Sequence, residues 1–254
     1  MQRISIELFR LITGIAHMES CYEKQDTVGM LFKNQKTGLW IEWDNEYKIY
    51  EGRYLEGRRT GFWIFWDEAG DKESEGFYKQ GIRDGFWKEY EDGSRSEGHY
   101  ARGVQTGLWI DWNFNETKIR EGYYVSGKKT GCWIDYWYDN PPGMKEMEGC
   151  YNYGVKTGLW TIWYRNGMKD SEGHYDQGDK VGLWTFWWDN GNKQREGWFG
   201  QKGRTTCRIC NEYYNQEGFW TYWYRNGTLK SHSSSRTRQN SLLSFSSVHH
   251  MDVE

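Results

Sequence analysis

Proline is nearly missing from this chain of 254 residues: there are two, Pro141 and Pro142, side by side. That excludes a collagen-like or proline-rich disordered chain and leaves long stretches free for ladder hydrogen bonding. Long hydrophobic runs are missing as well, and no stretch approaches the roughly 18 apolar residues of a membrane-spanning helix. Leu, Ile and Val are sparse, which argues against a conventional aliphatic core. Neither sign of charge dominates, with 33 Lys and Arg against 36 Asp and Glu, so no general attraction to nucleic acid follows. Cysteine is scarce and odd in number, five in all without even spacing. That does not read as a disulfide framework and favours a reducing compartment. Residues 4–15 carry an apolar rhythm beside Arg3, Glu7 and Arg10 but lack a signal peptide's uninterrupted core and cleavage site. They are read as a short amphipathic helix.

What the chain does have is aromatics and glycine, with 17 Trp and 31 Gly. Gly-x-Trp recurs at Trp40, Trp63, Trp87, Trp109, Trp133, Trp160, Trp184 and Trp220, each followed three residues on by Trp or Tyr. Alternating with it is Glu-Gly-x-aromatic, ending at Tyr54, Tyr78, Tyr100, Tyr124, Tyr151, Tyr175 and Phe199. Both units are short, aromatic-rich and bounded by Gly, Asn and Asp, the pattern of strands joined by hairpin turns. The expected fold is all-β, an elongated antiparallel β-hairpin array of about seven or eight repeats in a single twisted sheet.

Spacing separates two kinds of connection. From the Glu of Glu-Gly to the next Gly-x-Trp tryptophan is twelve residues six times running, from Glu51 to Trp63 through Glu172 to Trp184, and the step from Glu196 to Trp220 is 24. From Trp to the following Glu varies, and its longest version holds both prolines. One hairpin therefore has fixed geometry, built on Gly-x-x-x-Gly as in Gly57 to Gly61, and the other tolerates insertion. The array is expected to span residues 19–229, degenerate at 19–37 and at 200–217, where the sequence leaves open an insertion or a worn repeat. Residues 1–18 are the helix or a disordered lead, and 230–254 are read as a disordered Ser/Arg-rich tail.

The two-residue strand period puts Leu39, Ile41 and Trp43 on one face and Trp40 and Glu42 on the other. One face is then an apolar ladder and the other a Trp row mixed with acids or further aromatics. The Trp row is the expected aromatic partner surface. A basic row at the fixed turn (Lys36, Arg59, Arg83, Lys129, Lys156, Lys180) is the candidate for lipid headgroup phosphates or an acidic partner. Seven equivalent acids, Glu51 to Glu196, cannot each be an active site and are read as structural residues bonding backbone amides or basic side chains. Cys207-x-x-Cys210 lacks the second pair a structural zinc site needs. Ser241, behind Arg236 and Arg238, resembles a site for basophilic kinases.

The consensus of Gly-x-Trp-x-x-[Trp/Tyr], Glu-Gly-x-Tyr and the basic Gly-x-x-x-Gly turn resembles the MORN repeat over Gly38 to Gly227. The variant is closest to that of YwqK-type antitoxin-component proteins. The resemblance implies stacked hairpins and a scaffold or targeting role with membranes, cytoskeleton or protein partners. Enzymatic activity in such proteins belongs to attached domains. The sequence-level expectation is thus a non-enzymatic scaffold that binds a protein partner, without cofactor, metal, nucleic acid or small-molecule substrate. Peripheral binding to anionic phospholipid is the alternative, and antitoxin-like neutralisation of a toxin protein is a further one. The expected location is cytoplasmic, with membrane or cytoskeletal association as the variants.

Overall fold

The computed structural model of the chain describes residues 20–24, 27–44, 47–138, 143–200 and 216–235. The expected helix at residues 4–15, Ser241 and Cys207-x-x-Cys210 lie outside them. Among the described residues there are eighteen strands. The Trp strands are β3 (Gln35–Asp44), β5 (Arg58–Trp66), β7 (Ile82–Glu91), β9 (Val104–Trp112), β11 (Lys128–Tyr136), β13 (Val155–Trp163), β15 (Asp179–Trp187) and β17 (Gln216–Trp223). Between them run the Glu-Gly strands β4 (Tyr47–Leu55), β6 (Lys72–Lys79), β8 (Ser94–Ala101), β10 (Lys118–Val125), β12 (Lys145–Asn152), β14 (Lys169–Asp176) and β16 (Lys193–Phe199). The sheet opens with β1 (Ser20–Lys24) and β2 (Thr27–Phe32) and ends at β18 (Leu229–Ser235). Every strand pairs antiparallel with its sequence neighbour, β1 with β2 through β17 with β18, in one open meander.

The fixed turn is a two-residue hairpin with both central residues at positive φ, as at Glu56 (50°) and Gly57 (74°) between Leu55 and Arg58. This is the primed turn whose twist suits antiparallel strands. Its length is fixed by contact with the previous repeat. The Gly57 N–H donates to the Lys36 carbonyl, Gly81 to Arg59, Gly103 to Arg83, Gly154 to Lys129 and Gly178 to Lys156, at 2.7–3.0 Å. An added residue would break this turn-on-turn ladder. At the other edge neighbouring turns are joined through side chains instead, as where the Asn166 amide donates to the Asp189 carbonyl and the Asn190 amide to the Arg225 carbonyl.

Each Trp strand also carries a bulge. Gly52 pairs with Trp63 but Arg53 pairs with Thr60, so Gly61 and Phe62 are extra on β5. Gly61 takes φ 68°, which L side chains rarely adopt. The bulge turns the Trp63 indole flat across the sheet onto Gly52, where an added Cβ would stand 2.1 Å from ring atom Cδ2. The indole N–H then donates to the Arg53 carbonyl at 3.1 Å. Seven of the eight Gly-x-Trp indoles make this bond to a carbonyl ten residues earlier, beginning with Trp40 to Met30. The Gly of Glu-Gly is therefore the floor of an indole pocket.

Three points follow from the register. The opening half-unit is phased on Gly29: a Cβ there would lie 2.2 Å from the Trp40 ring, so Val28-Gly29 stands in for Glu-Gly. Residues 230–235, assigned by composition to a disordered tail, form most of β18, because Trp220 and Tyr222 sit opposite Ser233 and Ser231 in a continuous ladder. Finally, Gly197 pairs directly with Trp220, so β17 is the immediate neighbour of β16 in the sheet.

Candidate interaction surface

The two faces of this single sheet divide structure from exposure. On the indole face, Trp40, Trp63, Trp87, Trp109, Trp133, Trp160, Trp184 and Trp220 are 0–4% exposed. Between successive indoles stands the aromatic of Glu-Gly-x-aromatic, edge-on: Tyr151 to Trp160 is 5.1 Å at 89°, and Trp160 to Tyr175 is 5.8 Å at 73°. Edge-to-face contacts of this kind continue from Trp40 to Trp220. They favour the ring quadrupoles and add about 0.5–1.5 kcal/mol per pair to simple burial. The Trp row expected to be a partner surface is thus the core of the protein. An indole laid flat over a glycine has sheet below it and tyrosine edges beside it, and so needs no second layer.

The basic row roofs the same rings. Lys36, Lys129, Lys156 and Lys180 place Nζ 4.3, 4.1, 4.1 and 4.6 Å from the indole centroids of Trp40, Trp133, Trp160 and Trp184. Arg59 and Arg83 lie 4.9 and 4.2 Å above Trp63 and Trp87. Expected at an edge and facing phosphates, these cations are half-buried on the face of the sheet and engaged in cation–π contacts, each worth roughly 0.5–2 kcal/mol. Burial lowers the Lys156 pKa, and does the same at Lys129 with repulsion from Arg120 behind it.

On the opposite face the Glu ladder is tied down repeat by repeat. Glu51, Glu75, Glu121, Glu148, Glu172 and Glu196 each pair with the Lys three residues earlier. The hydroxyls of Tyr90 and Tyr136 donate to Glu75 and Glu121 at 3.0 and 2.6 Å, and the Trp112 indole to Glu97 at 3.0 Å. The acids serve as structural partners of lysine and of the second aromatic; backbone amides are not what they bind.

Beside this network runs a row of cross-strand pairs formed by the middle residues of Gly-x-Trp and Glu-Gly-x. They are Phe62 with Phe77, Phe86 with His99, Leu108 with Tyr123, Cys132 with Cys150, Leu159 with His174, and Leu183 with Trp198. Nearly all the large apolar members are 39–57% exposed. Cys132 and Cys150 are joined by a disulfide, contrary to the reading of the cysteine count. The strand period makes them direct neighbours even though they are 18 residues apart in sequence. Sequence reasoning saw the apolar ladder at Leu39 but did not single out Phe77, Tyr123 or Trp198. The usable signal was that both middle positions of a repeat are bulky together.

Tyrosine supplies a pH response. Burial, and then the hydrogen bonds to Glu75 and Glu121, push Tyr90 and Tyr136 up to about 12, and burial with the Asp170 hydrogen bond does the same for Tyr164. Tyr50, Tyr100, Tyr124 and Tyr151 are raised as well, each mainly by burial. A folded-state phenol above its free value of about 10 contributes stability that is whole below about pH 10 and is lost as pH climbs through about 12. Lys129 and Lys156 act in the opposite sense but are outnumbered. Urea midpoints are therefore expected to stay level from neutral pH to about 9.5 and to fall steeply between about 10 and 12. Phenolate absorbance of the folded protein should lag behind that of the denatured chain.

No helix of the described residues is long and apolar enough to cross a membrane, and none of them group into a His, Cys, Asp and Glu cluster suited to a metal ion. No family model matches the chain, and no curated protein matches it.

Proposed function

We propose that the protein is a non-enzymatic repeat scaffold of MORN type that binds a protein partner along the face opposite the indoles. The observation that carries this reading is the row of exposed cross-strand pairs from Phe62 to Trp198, each with at least one large apolar member except the Cys132–Cys150 pair, while the core lies on the other face. A monomeric soluble protein rarely leaves so continuous an apolar strip uncovered without a use for it. The strip stands on a rigid ladder, so a partner docks on side chains already held in place and little ordering entropy is lost. Phe, Tyr and Trp within it are the natural anchors, and the Lys and Glu pairs beside it supply a polar rim.

The test is capture from cell extract followed by mass spectrometry, comparing wild type with a Phe86→Ser, Leu108→Ser, Tyr123→Ser variant. These side chains are exposed, so each change should cost at most about 1 kcal/mol of stability. Partners held by wild type and lost from the variant support the reading. Equal recovery by both proteins overturns it. Anionic phospholipid binding is the competing proposal, and cosedimentation of wild type and the same variant with phosphatidylserine vesicles distinguishes it. Binding that survives in the variant and weakens with salt would favour the lipid.

A further inference from the structure

Cys132 and Cys150 face one another in register on β11 and β12, with their Cα atoms 4.0 Å apart, and are joined by a disulfide. They occupy the position held in the flanking repeats by Leu108 with Tyr123 and by Leu159 with His174. Cys132 is exposed and Cys150 is partly so, which places the bond on the sheet surface and not in the core. It also closes the hairpin with the longest variable connection: residues 137–144 join β11 to β12, against the five residues of 67–71, 113–117, 164–168 and 188–192. A longer connection raises the entropy of separating the two strands, so among the variable hairpins the cross-link sits on the one whose strands part most readily. In an array held by nearest-neighbour contacts alone, one weak junction near the middle divides the whole into two halves.

We propose that Cys132–Cys150 is a reversible redox site, opened by thiolates in the folded protein, whose state decides whether the array behaves as one cooperative unit or parts between β11 and β12. A small-molecule or protein thiolate attacks Sγ of the more exposed Cys132, and the Cys150 thiolate leaves. A second thiol then attacks the mixed disulfide and releases the Cys132 thiolate together with the oxidised disulfide of the reductant. Two electrons pass to the protein, and each thiolate takes up a proton from solvent. A small-molecule disulfide such as oxidised glutathione drives the same steps in reverse. The redox step does not depend on whether the surrounding row binds a partner.

The experiment treats the full chain with dithiothreitol without denaturant, traps thiols with a maleimide and follows amide exchange by mass spectrometry. Peptides containing Cys132 and Cys150 should be unlabelled in the oxidised protein and fully labelled after reduction, with the circular dichroism spectrum unchanged. Amides of β11 and β12 should exchange roughly 100-fold faster when reduced, while those of β5 to β7 hold their rate. Oxidised glutathione should restore protection, and a Cys132→Ser, Cys150→Ser variant should exchange like the reduced protein under both conditions. If the two cysteines are labelled only after denaturant is added, or if reduction leaves exchange in β11 and β12 unchanged, the proposal fails. The reduced wild type carries the test even where the double variant folds poorly.

Discussion

Trp160→Ala is expected to cost about 3–5 kcal/mol and to lower the melting temperature by roughly 10 °C. The residue is 2% exposed on β13, in the interior of the sheet. Its removal takes away the edge contacts of Tyr151 and Tyr175, the seat over Gly149 and the ring beneath Lys156, and it leaves the Cys150 carbonyl without its indole donor. Among the described residues there is no second layer to settle into the space. Because each repeat rests only on its neighbours, an interior lesion should also broaden the transition, as the strands before and after it begin to melt separately. Denaturant unfolding followed by circular dichroism gives both readings. A loss below about 1 kcal/mol would mean that the indole row is not the core.

Gly149→Ala is the smaller change chemically and is expected to cost about 3 kcal/mol by overpacking. Its Cβ would stand 2.1 Å from Trp160 Cδ2, closer than any real contact, and the ring is held by its own hydrogen bond and by tyrosine edges on both sides. Gly158→Ala makes the control. Gly158 has φ 68°, but a methyl group added there would meet nothing within 4 Å, so only backbone strain opposes the change, about 1 kcal/mol. Two glycines of one repeat thus resist the same substitution for different reasons, and urea midpoints should rank them in that order.

Most of the architecture was legible from residues. Period-two alternation and the recurrence of Gly-x-Trp give the strands, and the twelve-residue step kept six times from Glu51 to Trp184 gives a hairpin of constant length over that part of the array. The site was less legible, because exposure cannot be read from residue type alone. A tryptophan row on one side of an unpartnered sheet looks like a sticky surface until the bulge at Gly61 and the absent side chain at Gly52 let the ring lie flat. Lys129 and Arg59 look like free cations at a turn, yet the same bulge brings them back over the indoles. Cys132 and Cys150 are far apart in sequence and are brought together only by the register of one hairpin.

The Gly of Glu-Gly receives the following indole, and this seating makes one face the core and leaves the apolar side chains of the other face exposed. The most direct test is a double-mutant cycle of Gly149→Ala with Trp160→Leu, read by urea denaturation. Strong non-additivity is predicted: with the shorter side chain at 160, Gly149→Ala should cost less than about 0.5 kcal/mol, against about 3 kcal/mol in the wild-type background. Equal costs in both backgrounds would show that the glycine serves the backbone and not the indole, and would contradict this origin of the core.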